Sequence, residues 1–402
     1  MPTLQTNLPG SKSSPFFITG VYYAAYIGLG LVAASLGPSL PSLAEQTHVQ
    51  LKQVSWLFTA INLGYLIGAL LGGRIFDRRP GHPVMVASLL FTALVMALVP
   101  LPSQLILLAL VMLFSGGAQA CLDVGGNTLL VWLHREKIGP FMNGLHLFWG
   151  IGSMLSPIVI AQAVLLTGNF AWGFWIIAAL LLPVAWVLKG LPSPTAPHKE
   201  VGGEPQKATD WPMVILFVLF FTAFVGVEGA YGGWIYSYAI ATHIAVPATA
   251  AVMTSVYWGA LTLSRLISIP LALRFRPRTL LIANLAGCLI GLSLAVLGSG
   301  STIITWSATM VLGASVASFF PVSLSFARET ITITGQFTSL MFVGASFGGM
   351  LLPWLIGQYF ETAGPHSAML IMLVDMLVCC GIFIVLNWVR RVRQTDLLQV
   401  AS

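Results

Sequence analysis

The chain has 402 residues, of which 57% are hydrophobic and only 7% are charged, and its formal net charge is +6. A soluble globular domain carries about 25% charged residues. This composition excludes a soluble protein and indicates an integral membrane protein, in which the positive charge reflects membrane topology and not nucleic-acid binding.

Apolar runs long enough to cross a bilayer recur along the whole chain. A spanning helix needs roughly 20 mainly apolar residues, and runs closed by Pro, Gly or basic clusters predict twelve such spans. The predicted spans are 17–40, 53–74, 83–101, 104–132, 141–166, 170–189, 211–240, 248–273, 279–298, 302–327, 334–359 and 367–389. The sequence therefore predicts an all-α integral membrane protein with twelve transmembrane helices.

Polar segments divide these spans into two groups of six. Residues 190–210 are rich in Pro, Gly and charge, which is typical of a solvated linker. The linker separates a first six-helix bundle, 17–189, from a second, 211–389. Residues 1–16 and 390–402 are predicted to be tails, and we expect span one to be retained because its apolar run is too long for a signal-peptide core.

The basic residues predict the orientation in the membrane. Lys and Arg concentrate in cytoplasmic loops, and here they fall in alternate loops, as at Arg78 after span two and Arg276 after span eight. Only Lys52 lies clearly on the opposite side. We therefore expect both termini to be cytoplasmic, in a plasma membrane or in the inner membrane of a bacterium.

The loop after span two, "GGRIFDRRPGHP" (72–83), carries Gly73, Asp77 and Arg78. These residues resemble the Gly-x3-Asp-Arg signature of the major facilitator superfamily, although Gly81 comes one residue late and His82 and a proline replace the usual basic cluster. The resemblance implies a latch on the cytoplasmic side, made through charge-assisted hydrogen bonds of Gly73, Asp77 and Arg78. The alternative is a positive loop with an incidental Asp.

Span four contains an acidic residue within an apolar run. Gln119 and Asn127 lie four residues on either side of Asp123, so that one helix face carries a polar stripe. An intramembrane carboxylate costs at least a few kcal/mol and is a functional candidate by default. We interpret Asp123 as a Na⁺ or H⁺ site, with Gln119 and Asn127 beside the substrate; the alternative is an interhelical hydrogen-bond knot.

Span five carries His146, Trp149 and Ser153 on one helical stripe. Sugar sites commonly combine a flat apolar face with convergent polar groups. This pattern predicts that Trp149 stacks on a sugar ring and His146 bonds a hydroxyl, unless both residues only pack in the core.

Span seven contains the second intramembrane acid, Glu228, among four glycines in "VGVEGAYGGW" (225–234). Such a glycine density predicts an interrupted helix, whose exposed backbone can bind substrate or ions. Tyr231, Trp234, Asn62 in span two and Asn284 in span nine are further substrate-binding candidates. The alternative for Glu228 is a structural pairing with a neighbouring helix.

Two further charged residues fall within spans and are interpreted structurally. Arg265 in span eight is expected near the cytoplasmic end, where it snorkels to the interface or pairs with an acid. Asp375 lies in span twelve, and we expect a structural or interface role for it.

The two halves also resemble each other. "WGIGSMLSPIVIAQ" (149–162) and "VGASFGGMLLPWLIGQ" (343–358) share the spacing of Met, Pro157 or Pro353, and Gln. Parallel halves around an axis normal to the membrane are typical of transporters that hold substrate at mid-membrane. With the loop signature, they imply the major facilitator fold of two pseudo-symmetric six-helix bundles.

Three motifs have a narrower resemblance. "LDVGGN" (122–127), "NGLHLFWGIGSMLSP" (143–157) and "VGVEGAYGGWIYSYA" (225–239) resemble the fucose/glucose permease branch, which includes proton-coupled fucose symporters and sodium-dependent glucose transporters. The resemblance implies a sugar, expected to be a hexose, moved by alternating access and coupled to Na⁺ or H⁺ through Asp123 and Glu228. Span one departs from the fucose symporters because it has no carboxylate; its polar groups are Tyr22, Tyr23, Tyr26, Ser35 and Ser39.

Two other functions compete with sugar transport. A proton-driven exporter of drugs or small metabolites usually carries Gly-Pro-x-x-Gly-Gly in span five, whereas Pro157 here lacks the glycine pair. A membrane enzyme or receptor is disfavoured by short loops without HExxH, GxSxG or a Walker loop. The four cysteines lie within apolar spans and show no metal spacing, so we expect them to be packing residues. We expect a monomer that has no cofactor besides the co-transported Na⁺ or H⁺ and whose partners are a small molecule and the lipid bilayer.

Overall fold

The computed structural model describes residues 14–195, 210–298, 300–329, 331 and 335–400, and in this part of the chain the regular secondary structure is helical. Most of the predicted N-terminal tail and of the linker lies outside the described residues. The helices of the first half are α1 Pro15–Ala33, α2 Leu36–Gln46, α3 Leu51–Val54, α4 Trp56–Phe76, α5 Gly81–Leu98, α6 Leu105–His134, α7 Ile138–Thr167 and α8 Ala171–Lys189. Those of the second half are α9 Trp211–Ala241, α10 Pro247–Arg274, α11 Pro277–Leu297, α12 Thr302–Val316, α13 Phe319–Arg328, α14 Gly335–Phe360 and α15 His366–Val400.

Eleven helical stretches of the described chain are long and apolar enough to cross a membrane. One of them, Leu105–Thr167, has 63 residues and would measure about 95 Å as a single helix, three times the hydrocarbon core. The chain instead turns at Arg135, where φ is 48°, so α6 and α7 are separate passes. Counting them separately gives the twelve predicted spans.

Two predicted span ends differ from the observed helices. The first span continues beyond residue 40, because α2 runs to Gln46 with Pro41 inside it. The last helix continues past residue 389 to Val400, into the predicted tail. Arginines end the apolar segment there but not the helix, and Arg390 pairs with Glu329 at the end of α13 at 2.7 Å.

The same helix pairs recur in the two halves. In the first half α1 packs on α7, α4 on α6 and α5 on α8; in the second half α9 packs on α14, α10 on α12 and α11 on α15. Each pair of the second half lies six spans after its counterpart. The halves are therefore two bundles of the same internal design, and α4 with α14 and α7 with α10 join them.

Small residues bring the helices of each bundle close together. A Cβ placed on Gly64 or Gly116 would overlap the backbone of the other helix of the α4 and α6 pair, and a Cβ on Gly348 of α14 would overlap the backbone of α9. In a bilayer, helices associate through such packing because lipid is as apolar as the side chains. These glycines therefore fix the helix pairs that carry the site.

The interruption predicted in span seven is wrong. Helix α9 runs as one helix of 31 residues through Glu228. The side chains of Trp258 and Phe58 fill the space that Cβ atoms on Gly232 and Gly233 would need. Close packing around the glycines offsets their low helix propensity, which the sequence pattern of a single span does not reveal.

The halves meet on one side of the molecule, opposite the side where α1 begins and α15 ends. On this side the Leu51 N–H donates to Glu361 Oε1 at 3.0 Å. Deeper in the interface, Asn62 Nδ2 donates to Gly349 O at 3.1 Å. Several polar and aromatic contacts that join the halves lie between this side and the middle of the helices. We call it the closed side.

Candidate functional site

Three helices of the first half bring hydrogen-bond donors to Asp123. The hydroxyl of Tyr26 on α1 donates to Asp123 Oδ1 at 2.8 Å, and Asn127 Nδ2 on α6 donates to the same oxygen at 2.9 Å. The hydroxyl of Tyr65 on α4 donates to Asp123 Oδ2 at 2.5 Å. Asn127 Nδ2 also donates to the Tyr26 oxygen at 2.8 Å. Asp123 is thus the junction of α1, α4 and α6.

The donors around Asp123 are all neutral. The ion pairs of Glu228 with Arg265 and of Glu329 with Arg390 do not involve Asp123, and Asp123 itself is half-buried. It lies about 27 Å from the start of α6 and about 17 Å from its end, at a rise of 1.5 Å per residue. An ionised Asp123 therefore carries one uncompensated negative charge near the middle of the membrane, within reach of several oxygen atoms.

Tyr26 and Tyr65 are site residues that the sequence interpretation did not single out. Span one was known to lack an acid, but its three tyrosines were equivalent by sequence alone. Tyr65 lies three residues after Asn62, on the same helical face, and this spacing was a signal that could have identified it.

The second half contributes a charged pair that contacts the first half. Arg265 Nη2 on α10 lies 3.8 Å from Glu228 Oε1 on α9. The Arg265 Cζ atom lies 5.3 Å from the ring centroid of Trp149 on α7, a distance typical of a cation–π contact. Arg265 therefore pairs with an acid, as one of its two predicted roles required, and it also joins the two bundles.

His146 lies beside the Asp123 cluster. Its ring is perpendicular to that of Tyr26, with centroids 6.2 Å apart. The sequence stripe that grouped His146 with Trp149 thus has a spatial counterpart, since one residue faces the Asp123 cluster and the other faces Arg265.

Aromatic side chains of α10 complete the wall of the second half. The ring of Trp258 is perpendicular to that of Trp149, at a centroid distance of 5.8 Å. The hydroxyl of Tyr257 donates to the backbone oxygen of Glu228 at 2.9 Å. Trp258 Nε1 is buried without a hydrogen-bond partner among the described residues. This wall combines flat apolar faces with a free donor.

Two of the substrate candidates of span seven make their bonds within the second half. The Tyr231 hydroxyl pairs with Thr309 Oγ1 at 2.8 Å, and Trp234 Nε1 donates to Pro353 O at 3.0 Å. Both side chains are fully buried. The structure therefore does not bring them to the Asp123 cluster.

The remaining polar candidates also bond elsewhere. Gln119 donates to Ser115 Oγ on its own helix at 3.1 Å, and Asn284 of α11 donates to Ser318 Oγ at 3.0 Å. Asn62 bridges the halves through its bond to α14. Of the polar stripe on α6, only Asn127 bonds Asp123.

The loop after α4 does not form a latch in this conformation. Asp77 and Arg78 are exposed and Gly73 is half-buried, and neither charged residue belongs to an ion pair among the described residues. His82, which departs from the family signature, is buried instead. Its Nε2 pairs with the Tyr22 hydroxyl at 2.6 Å and its Nδ1 with Leu191 O at 2.9 Å, tying the segment after α8 to the first bundle.

Asp375 lies apart from the Asp123 cluster. Its helix, α15, packs on α9, α11 and α14 of its own half. The carboxylate oxygen Oδ2 is buried without a hydrogen-bond partner among the described residues.

Comparison with known proteins agrees with this architecture. The family model of the Major Facilitator Superfamily matches residues 22–353. A mutant form of the nucleoside transporter NupG superimposes with a TM-score of 0.75 at 14% identity, over 91% of this chain and 98% of that one. At this identity the likeness concerns the fold, and it confirms the predicted fold of two six-helix bundles.

Curated relatives cover most of the chain as well. It is 28% identical over 373 residues to the sodium-dependent glucose transporter 1A of Mus musculus, in an alignment that covers 83% of this chain and 88% of the relative. It is 27% identical over 467 residues to the major facilitator superfamily domain-containing protein 4A of Pongo abelii, over 91% of this chain and 89% of the relative.

Proposed function

Since the chain belongs to the Major Facilitator Superfamily and is a membrane transporter and not an enzyme, we propose that it moves a sugar across the membrane by alternating access. The sugar is a hexose, and its transport is coupled to Na⁺ or H⁺ through Asp123 and Glu228. One bundle rocks against the other, and a site between them at mid-membrane holds the cargo.

The environment of Asp123 is the observation that carries this proposal. Its carboxylate is half-buried at mid-membrane and is held by neutral donors of three helices. A cation that binds there removes the uncompensated charge. The phenol oxygens of Tyr26 and Tyr65 and the amide oxygen of Asn127 are hard ligands of the kind that small cations take. Binding of Na⁺ or a proton at Asp123 is therefore coupled to the packing of α1, α4 and α6.

Groups beside Asp123 suit a sugar. Trp149 offers a flat face and His146 offers ring nitrogens beside the Asp123 cluster, and Asn127 offers an amide. Sugars bind to such combinations of an aromatic face with convergent polar groups. A curated relative over most of the chain is called a sodium-dependent glucose transporter, which supports the same class of substrate.

The conformation supports alternating access with cytoplasmic termini. Arginines lie at the ends of α4 and α10 and after the apolar part of α15. By the positive-inside rule this side is the cytoplasmic one and the closed side is the exterior one. When the cytoplasmic side closes, Asp77 and Arg78, with Gly73 before them, form the latch that this conformation lacks.

Uptake into proteoliposomes tests the coupling. Radiolabelled glucose and other hexoses are added outside proteoliposomes across which a Na⁺ gradient or a pH gradient is imposed. The wild-type protein is expected to accumulate one of the hexoses, and only when one of the two gradients is present. Asp123→Asn keeps the shape of the side chain and removes the charge, so that it should lose accumulation and retain exchange of sugar for sugar. Asp375→Asn is the matched control, because it changes another intramembrane acid outside the site, and it should accumulate sugar normally.

Either of two results would contradict the proposal. Asp123→Asn accumulating sugar like the wild type would remove Asp123 from the coupling mechanism. Hexose uptake that ignores both gradients, together with resistance to lipophilic cations in cells that express the protein, would favour the exporter.

A further inference from the structure

Arg265 lies too deep in the membrane to act as an interfacial anchor. Nine residues separate it from the end of α10 at Arg274, which corresponds to about 14 Å of helix. Its Nε atom donates inward to the backbone oxygen of Ala317 at 3.2 Å. The side chain is therefore held at the level of the site.

The guanidinium group lies over one face of Trp149, the ring proposed to stack on a sugar. Its Cζ atom lies 5.3 Å from the ring centroid, and Trp258 meets the same ring at 88° and 5.8 Å. A planar guanidinium is about as thick as a sugar ring and stacks on aromatic faces. Arg265 and a sugar cannot both stack on this face of Trp149.

The pairing of Arg265 with Glu228 is incomplete. At 3.8 Å, Nη2 and Oε1 are within ion-pair range but beyond hydrogen-bond range. A guanidinium and a carboxylate can form two parallel hydrogen bonds when they meet in one plane. A small movement of Arg265 away from Trp149 and towards Glu228 would thus replace the cation–π contact with hydrogen bonds that offset part of its loss.

The contact is also part of the interface between α7 and α10. Going inward from the closed side, Gly259 meets Met154, then Gly150 meets Thr262, and then comes Arg265 over Trp149. Movement of Arg265 therefore changes a contact between these two helices, and so between the two halves.

We propose that Arg265 is a specificity-determining residue of the sugar site: it covers the Trp149 face in the empty carrier and moves onto Glu228 when a sugar takes that face. The identity of the ligand rests on the proposed function, whereas the contact across the halves does not. Arg265 thereby links sugar binding on the first half to the charge of Glu228 on the second half.

The contact itself is tested without sugar. Melting temperatures of the purified protein are measured for Arg265→Met, Trp149→Leu and the double variant. The two changes are expected to be non-additive, because each removes the same contact. Arg390→Met combined with Trp149→Leu is the matched control, since Arg390 lies over Phe326 instead, and its effects should add.

Sugar binding is tested with the same variants and with Glu228→Gln, using the shift of melting temperature with glucose concentration. Arg265→Met should bind glucose about fivefold more tightly, because a cation–π contact of this kind no longer competes. Glu228→Gln should bind about fivefold more weakly, because the displaced arginine loses its partner. The double variant should bind like Arg265→Met, since no arginine remains to be displaced.

The outcomes separate the inference from the proposed function. Suppose that glucose binds the wild type but binds Arg265→Met more weakly, or that the effects of Arg265→Met and Glu228→Gln on glucose affinity simply add in the double variant. Either result refutes the displacement of Arg265, while sugar transport stands. If glucuronate binds in place of glucose and Arg265→Met abolishes that binding, Arg265 is a ligand of a substrate carboxylate and the inference is wrong. If no hexose binds the wild type or Arg265→Met, the inference falls together with the proposed function.

Discussion

Replacing Glu361 by alanine should open the closed side of the transporter. Glu361 follows α14 in the second half, and its carboxylate accepts a hydrogen bond from the Leu51 N–H at the first residue of α3, in the first half. This bond joins the two halves at their outermost level. It cannot survive a conformation in which the halves separate on that side.

The size of the effect follows from the kind of bond. A side chain that caps a helix N-terminus contributes about 1 kcal/mol, and the negative charge near the helix start adds to this only modestly where it is exposed to solvent. Glu361 is exposed, so we take about 1 kcal/mol for the whole contact. Its loss should raise the ratio of open to closed conformations about fivefold.

Distances between spin labels measure this ratio. Cysteines introduced at Leu166 and Val246, both exposed, report on the ends of α7 and α10 at the closed side, after Cys121, Cys288, Cys379 and Cys380 have been replaced. Glu361→Ala should increase the population with the longer distance.

Two control variants isolate the cause. Glu361→Gln retains an acceptor oxygen and should shift the population less than alanine does. Glu45→Ala removes another exposed acid, on α2, and should leave the distances unchanged. An unchanged distribution in Glu361→Ala, or an equal shift in Glu45→Ala, would refute the reasoning that this cap holds the halves together.

Two further predictions concern packing within the first bundle. Gly116→Ala should lower the free energy of unfolding by about 1 to 3 kcal/mol, because its Cβ would overlap the backbone of α4. Gly139→Ala is the control and should not lower the melting temperature, because nothing lies within 4 Å of its Cβ. An equal loss of stability in both variants would exclude overlap as the cause. His82→Ala removes the bonds to Tyr22 and Leu191, so that amide hydrogen exchange in residues 190–195 should accelerate; exchange at the wild-type rate would mean that other contacts hold this segment.

The membrane spans were predictable because each one is a property of local sequence. Apolar length and basic loops located the ends of most helices within a few residues, and the shared spacing around Pro157 and Pro353 marked helices that occupy equivalent positions, α7 and α14. The break predicted at Glu228 failed because glycine weakens a helix only where nothing fills the space beside it. Here Trp258 and Phe58, from other helices, fill that space.

The site was only partly predictable for a related reason. Asp123, Asn127, His146 and Trp149 were identified because charge and polarity in an apolar run are visible in one helix at a time. The partners that complete the site come from other helices: Tyr26 from α1, Tyr65 from α4 and Arg265 from α10. A tyrosine is common in membrane helices, so its role depends on which side chain it meets, and this is a property of the assembled bundle.

The two acids of the site differ in a way that bears on the coupling mechanism. Glu228 has Arg265 within ion-pair range, whereas Asp123 has neutral donors. The formal charges of Asp123, Glu228 and Arg265 sum to one negative charge, which a single bound Na⁺ or proton cancels. Since moving an uncompensated charge through the middle of a membrane is costly, the loaded site reorients readily and the empty one slowly. The charge balance thus agrees with the proposed coupling through both acids, in which the cation neutralises Asp123 while Glu228 is the partner of Arg265.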